Sequence, residues 1–284
     1  MGLPLTSLPV IDLGRTDYAA AHEVQQKHHA EVLALRDSTP TDRAPTPHSH
    51  GRILLVEHDP PVITIRQREG ARTHLLATPE SLARLGVTIA ETDRGGDITY
   101  HGPGQLVVYP IIDLNAFGLR LHDYMRLLEG AVIDALAEFG VEGGRDSGAT
   151  GVWVKPMSDG GFRNEPRPSG RGVPVMSAVG EVPEKICAMG VRIRRWVSLH
   201  GLALNVTTNL EHFDLIVPCG LAGRRVTSLQ QLLGDACPTM PRVKAVLSRA
   251  LLARLEHAKS QSSKFRPQIG DSAPTVHIAA SFEL

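Results

Sequence analysis

With 284 residues, 42% of them hydrophobic, the chain has the length of one large domain or two small ones and the composition of a globular protein. Its 30 Lys and Arg balance 30 Asp and Glu, which argues against a broad nucleic-acid footprint and against an acidic disordered chain. No apolar run approaches the ~20 residues of a membrane span, MGLPLTSLPVIDLG lacks the features of a secretory signal, and three widely spaced cysteines (Cys187, Cys219 and Cys237) suit a reducing compartment, so a cytoplasmic protein with no membrane partner is expected.

In chain order, RILLVEH (52–58) predicts a buried strand closed by Asp-Pro-Pro, and VITI (62–65) a second. Thr78 as N-cap, Pro79 in the first turn and Gly86 as stop predict a short helix. VTIAET (87–92) returns as a strand that delivers Gly95 and Gly96. QLVVYPIIDL (105–114) is long and apolar, as a central strand would be; Pro110 has no N–H to donate and must mark its end or a bulge. Tyr124, Leu127, Leu128, Ala131, Val132, Ala135, Leu136 and Phe139 recur at helical spacing, and Gly140 ends that helix. TGVWV (150–154), KICAMGVRI (185–193) and VSLHGLALNV (197–206) are strand-like, and Pro241 opens a helix that runs to about 258.

Two stretches, about 36–51 and 156–180, read as surface inserts, the first rich in Pro and the second in Gly, Pro and Arg; 261–284 reads as a polar, mobile tail. Strands and helices mix irregularly, and no repeat is present. The expectation is one α+β domain over 1–260, a mixed sheet with flanking helices rather than a doubly wound fold.

The segment ETDRGGDITYHGPGQLVVYP (91–110) is the most unusual. It is not a Walker A loop, and its glycines, at 95, 96, 102 and 104, do not make a dinucleotide fingerprint. Paired glycines let a ligand approach the backbone and leave N–H groups to donate, and Thr99, Tyr100 and His101 add polar tips; a tight turn between strands is the other reading. The 13 histidines include no H-E-x-x-H and the cysteines no paired C-x-x-C, so no metal is expected. In DLIVPCGLAGRRVTSL (214–229), Cys219 follows an apolar run and Pro218, on a loop at a strand end where reactive groups are commonly placed. The alternative is a small buried hydrophobe.

Cys187 alternates with Lys185 and Met189, which would put it on the face of Lys185; Cys237 reads as a loop filler. A lysine on a half-buried strand is costly without a partner or a task. Positive charge beside a thiol lowers its pKa and yields thiolate, so a Lys–Cys pair can run nucleophilic acyl transfer. Whether Lys185 and Cys219 meet in space is not visible in the sequence.

RGGDITYHGPGQLVVYP, KICAMGVRIRRWVSLHGLALNV and VPCGL…VTSL, in that order between about Ile53 and Leu229, closely resemble the bacterial octanoyltransferases, also called lipoyl(octanoyl) transferases. The resemblance implies the α+β fold shared by lipoate and biotin protein ligases, and no cofactor. It implies transfer of an octanoyl group from octanoyl-acyl carrier protein to a lysine of lipoyl domains, those of 2-oxoacid dehydrogenase complexes and the glycine cleavage H protein. Cys219 then falls on the nucleophile that carries the acyl group as a thioester, and Lys185 on the lysine that lowers its pKa or acts as base.

The family's substrate-contacting segments fall on Arg94, Gly95, Gly96, Asp97, Ile98, Thr99, Tyr100 and His101, on Ala188, Met189 and Gly190, and on Gly201, Leu202 and Ala203. Arg66 stands where the family usually has glycine, and both inserts are longer than usual. Two rivals remain: an ATP-dependent lipoate-protein ligase on the same fold, which would not need Cys219, and a non-catalytic lipoyl-domain binding module, which would form no acyl adduct.

Overall fold

The computed structural model describes residues 8–38, 50–155, 182–217 and 224–264. Its strands are β1 (Val10–Thr16), β2 (Gly51–His58), β3 (Val62–Arg66), β4 (Thr88–Thr92), β5 (Ile98–His101), β6 (Gln105–Ile112), β7 (Gly143–Gly144), β8 (Val152–Val154), β9 (Glu184–Arg194) and β10 (Val197–Asn205). Its helices are α1 (Tyr18–Ser38), α2 (Pro79–Leu85), α3 (Leu121–Glu138), α4 (Leu229–Leu233) and α5 (Met240–Lys264).

Seven strands form one sheet in the order β1-β2-β6-β10-β9-β8-β7, and three form a second, β4-β3-β5. Every residue of β2, β6 and β10 is buried. Both faces of these strands are covered, which is why they read as continuous apolar runs rather than alternating ones. On one face Leu128, Val132 and Leu136 of α3 and Val243, Leu247 and Leu251 of α5 pack over Ile53, Leu106 and Leu204. On the other, Ala21 and Val32 of α1 pack over Leu54, Val107 and Ala203. β1 runs parallel to β2 while β6 runs antiparallel to both β2 and β10, so the large sheet is mixed. In the small sheet β3 pairs parallel with β4 and antiparallel with β5 over its own core of Ile63, Ile65, Ile98 and Tyr100. Among the described residues no helix is long and apolar enough to cross a membrane.

The structure redraws several boundaries. β1 and α1 give no sequence signal. The buried positions of α1 are Tyr18, Ala21, Gln25, His29 and Val32; they keep helical spacing, but two of the five are polar, so apolar periodicity misses them. α1 continues to Ser38 and β2 begins at Gly51, so the ends of the first expected insert belong to regular structure, and its middle lies outside the described residues. The second insert lies there entirely. α5 extends to Lys264, beyond the expected start of the tail, and the remainder of that tail is again outside.

Pro110 does not end β6. It pairs with Ile53 of β2, while the ladder to β10 lapses after Val108↔Leu202 and returns only as the bridge Asp113↔Val197. In the gap, the Ser198 hydroxyl donates to Pro110 O at 2.6 Å and accepts the Ile112 N–H at 3.0 Å. His200 takes a left-handed backbone, φ 59, and its N–H donates to Gln25 Oε1 at 3.0 Å. A residue that cannot donate thus opens the ladder in mid-sheet, and side chains satisfy the freed groups.

Candidate active site

The two sheets meet along a backbone seam. Gly95 N–H donates to Val191 O of β9 at 3.1 Å, and a Cβ placed on Gly190 would stand 2.5 Å from Gly95 O. Only glycine permits that approach. Gly96 then turns the chain with φ 81. Arg94, buried at 7% exposure, ties the loop to β3: its guanidinium donates to Thr64 O at 3.0 Å, to Thr64 Oγ1 at 2.8 Å and to Gly95 O at 2.9 Å.

Beside this seam lies a cavity of about 320 Å³. Its buried floor is Tyr18, Thr99, His101, Val107, Tyr109, His200, Gly201, Leu202 and Ala203. Ala188, Met189 and Gly190 form one wall, and Arg66, Arg68, Gly96, Asp97, Gly148 to Thr150 and Lys185 stand toward the opening. Arg94 also contributes to the lining. Of the residues expected to contact substrate, Gly95, Ile98 and Tyr100 are not part of it. Gly95 is taken up in the seam. Side chains of β5 alternate between faces, so Thr99 and His101 reach the cavity while Ile98 and Tyr100 enter the small core, where Tyr100 OH meets His212 Nδ1 at 2.8 Å.

Tyr18, Tyr109 and His200 of the floor are not among the residues that the sequence singles out. The signal that could have found Tyr109 and His200 is their position inside the long apolar runs 105–114 and 197–206, where a polar ring needs a purpose.

Lys185 is half-buried at the cavity edge, and Cys187 does not share its face. β8 pairs Val152 with Cys187 but Trp153 with Lys185, leaving Ile186 as an extra residue on β9. Such a bulge breaks the alternation. Cys187 joins Ile186 in the main core at 0% exposure, and burial pushes its thiol far above the ordinary range. Cys237 is half-buried, its Sγ 3.9 Å from Val206 O. Cys219 lies outside the described residues. The chain on either side of that segment is placed: Val217 N–H donates to His74 O at 2.8 Å, and beyond it Lys185 N–H donates to Arg225 O at 2.9 Å while Thr227 N–H donates to Lys185 O at 3.0 Å.

The rings beneath the cavity are held neutral. Burial lowers the His58 pKa to about 4; it donates from Nδ1 to Thr16 O at 3.3 Å and accepts the Tyr109 hydroxyl at Nε2, 2.7 Å. Burial, with the neighbouring His58 ring and the charge of Arg94, also depresses His101, whose Nδ1 donates to Gln105 Oε1 at 2.7 Å. Gln105 donates onward to Asn205 Oδ1 at 2.9 Å, and Asn205 to Thr227 O at 3.0 Å. Burial and the guanidiniums of Arg94 and Arg192 lower His200; its Nε2 lies 2.8 Å from Asp93 Oδ1. Among the described residues no group of three or more His, Cys, Asp or Glu is placed to hold a metal ion.

The family model of the lipoyl protein ligase A/B catalytic domain matches residues 21–252. An octanoyltransferase of Cytophaga hutchinsonii is 41% identical over 254 residues, covering 88% of this chain and 93% of its own length. One of Bacteroides fragilis is 47% identical over 204 residues, 72% and 81% of the two chains. Among solved structures, a bipartite lipoate protein ligase of Thermoplasma acidophilum, described with its E2 lipoyl domain, is similar with a TM-score of 0.57 at 16% identity, covering 92% of this chain and 93% of that one. A lipoate-protein ligase A bound with ATP has a TM-score of 0.55 at 14% identity, covering 92% and 96%. These two structural likenesses speak for the fold, an α+β mixed sheet of the lipoate ligase type.

Proposed function

Because the chain belongs to the lipoyl protein ligase A/B catalytic family, and within it to the octanoyltransferases, we propose that it moves an octanoyl group from octanoyl-acyl carrier protein to a lysine of lipoyl domains through a thioester on Cys219. The observation that carries this reading is the hydrogen-bonded pairing of Lys185 with residues 225–227. It brings the candidate lysine against the chain that follows Cys219, beside a cavity lined by both sheets. We read residues 1–260 as one catalytic domain on the same grounds.

In the first half-reaction the Cys219 thiolate attacks the octanoyl carbonyl carbon. A C–S bond to Cys219 forms, the C–S bond to the carrier breaks, and the carrier leaves as thiolate. One thioester replaces another, so neither ATP nor a cofactor is needed. In the second, the neutral amine of the acceptor lysine attacks the enzyme thioester, forming the amide and returning the Cys219 thiolate; the greater stability of the amide drives the step. Lys185 has two roles open to it: as a cation it stabilises the thiolate, and as a neutral amine it takes the proton that the acceptor lysine must lose. The acceptors are the lipoyl domains of 2-oxoacid dehydrogenase complexes and the glycine cleavage H protein, and the free thiols suit the cytoplasm. Cys187 is a poor rival nucleophile, being fully buried with its thiol held protonated.

Incubation with octanoyl-acyl carrier protein, followed by intact-mass measurement and peptide mapping, tests the proposal. One octanoyl group on Cys219 is expected, discharged on addition of an unmodified lipoyl domain without ATP. Acylation of Cys187 or Cys237, a requirement for ATP, or normal turnover by Cys219→Ala would sink it.

A further inference from the structure

Lys185 sits in a group of side chains that the reaction as written does not use. The Trp153 indole, 0% exposed, has two cations over its ring: Lys185 Nζ at 4.6 Å from the centroid and the Arg224 guanidinium carbon at 4.3 Å. The indole is fixed from its edge, Nε1–H donating to Ala149 O at 3.2 Å. Asp146 completes the group. It is ion-paired with Arg224 and accepts the Gly148 N–H at 2.8 Å. Partial burial works to raise its carboxyl, but the Gly148 N–H, Arg224 and the charge of Lys185 outweigh it and hold the carboxyl below its ordinary range.

The loop carrying Asp146 is itself anchored. Glu129 of α3, 2% exposed, accepts Arg145 at 2.8 Å and Arg126 at 2.7 Å on Oε2, and the Gly151 N–H at 3.3 Å on Oε1. Arg224 directly precedes the residues that pair with the Lys185 backbone. Side chain and main chain of Lys185 are therefore located by the same two segments.

We infer that Asp146 and Arg224 are positioning residues for Lys185: with Trp153 they fix its amine at the cavity edge, and their opposite charges set how readily it gives up a proton. The inference rests on the reading of Lys185 as the lysine of the acyl-transfer reaction. Arg224 cannot be deprotonated in a protein, so its charge favours the neutral amine, whereas Asp146 favours the ammonium. A charge within ~4–6 Å shifts a neighbour by about 1–3 pH units, less where water enters. The other groups facing the site stay constant in the comparison: Cys187 and Glu129 behind it on β9 and α3, Arg94 and the Arg68–Asp97 ion pair along the cavity, and the neutral rings of His101 and His200.

The test is the pH profile of single-turnover octanoyl transfer from octanoyl-acyl carrier protein to an unmodified lipoyl domain, in the wild type, Asp146→Asn, Arg224→Met, the double variant and Lys185→Met. Asp146→Asn is expected to move the Lys185-dependent limb about one unit to lower pH, and Arg224→Met about one unit higher; either is about tenfold in rate at a fixed pH on the limb. The double variant should return toward the wild type, and Arg224→Lys, which restores the charge, should keep the limb near its wild-type position. If both single variants only lower the amplitude, or move the limb the same way, their role is structural and the inference is overturned. Lys185→Met with a wild-type rate and profile would remove the underlying reading itself. Loss of the limb in Lys185→Met, while Asp146→Asn and Arg224→Met leave it in place, overturns the inference alone.

Discussion

Gly190→Ala tests the seam on which the cavity depends. The added Cβ would stand 2.5 Å from Gly95 O and 3.3 Å from Arg94 Cδ, where favourable contacts lie near ~3.5–4 Å. The nearer atom is main chain and cannot swing aside, so the loop must retreat by about 1 Å. That retreat stretches the 3.1 Å bond from Gly95 N–H to Val191 O and pulls on the Arg94 contact to Gly95 O. Overpacking of this kind costs about 1–3 kcal/mol, and the weakened hydrogen bond about 0.5–1.5 kcal/mol. The sum, about 1.5–4.5 kcal/mol, corresponds to a melting temperature lowered by roughly 3–18 °C in a chain of this size. The same displacement moves Gly96 and Asp97 at the cavity opening, and a misplacement near ~1 Å costs on the order of 10²-fold in rate. Circular dichroism melting and octanoyl transfer to a lipoyl domain, measured on one preparation, read both effects. A Gly190→Ala protein that melts with the wild type and transfers at the full rate would refute the close approach of the two backbones.

Gly96→Val places a β-branched residue at φ 81, where a left-handed backbone costs about 1–2 kcal/mol; transfer is expected to fall further than the folded fraction does, and a loss merely proportional to unfolding would make the loop a turn and nothing more. Cys187 should resist iodoacetamide in the native protein at mildly alkaline pH and react once urea unfolds it, since its thiol is buried and held protonated; rapid native labelling mapped to Cys187 would contradict its burial. His58 takes its proton near pH 6.5 when unfolded but near 4 when folded, so the unfolded state binds more protons between those values and stability falls as pH drops through them, by about 1.4 kcal/mol per unit and up to roughly 3 kcal/mol in all. Urea midpoints should fall across that window and do so less steeply in His58→Gln; parallel slopes in the two proteins would show that His58 does not contribute.

The parts of the fold legible in the sequence are those in which burial and periodicity agree. β2, β6 and β10 are covered on both faces and read as unbroken apolar runs, and α3 shows its buried stripe at helical spacing. α2 carries its own punctuation, the Thr78 hydroxyl accepting the Ser81 N–H at 3.3 Å and Gly86 closing at φ 64. α1 was hidden because two of its inward positions, Gln25 and His29, are polar, and Gln25 is there to satisfy an amide that the gap opposite Pro110 sets free. For the site, the glycine loop and the two sheet segments could be carried across as motifs, but the side each residue presents could not. The extra residue Ile186 separates Lys185 from Cys187, and strand alternation removes Ile98 and Tyr100 from the cavity. A one-residue bulge leaves no mark in composition and reverses the facing of everything beyond it.

The same geometry explains how a cavity proposed for a hydrocarbon chain can be floored by imidazoles and phenols. His101, Tyr109 and His200 line it and His58 lies behind them, and burial moves each pKa toward the neutral form: the histidines down, Tyr109 up. One polar atom of each is engaged from the wall side, Tyr109 OH with His58, His101 Nδ1 with Gln105 and His200 Nε2 with Asp93. An occupant meets these uncharged rings together with Thr99, Val107, Leu202 and Ala203. An uncharged floor of this kind accepts an alkyl chain without stripping water from an ion, whereas a single protonated imidazole would make the same burial costly. Among the described lining residues the charges stand elsewhere. Arg66, Arg68, Asp97 and Lys185 are near the opening, where water reaches them, and Arg94 is enclosed by Thr64 and the Gly95 carbonyl. Hydropathy alone assigns such a floor to a polar site. Its suitability for an alkyl chain rests on rings that burial keeps uncharged, each with one partner behind it, and that is a property of several elements meeting, not of any one segment.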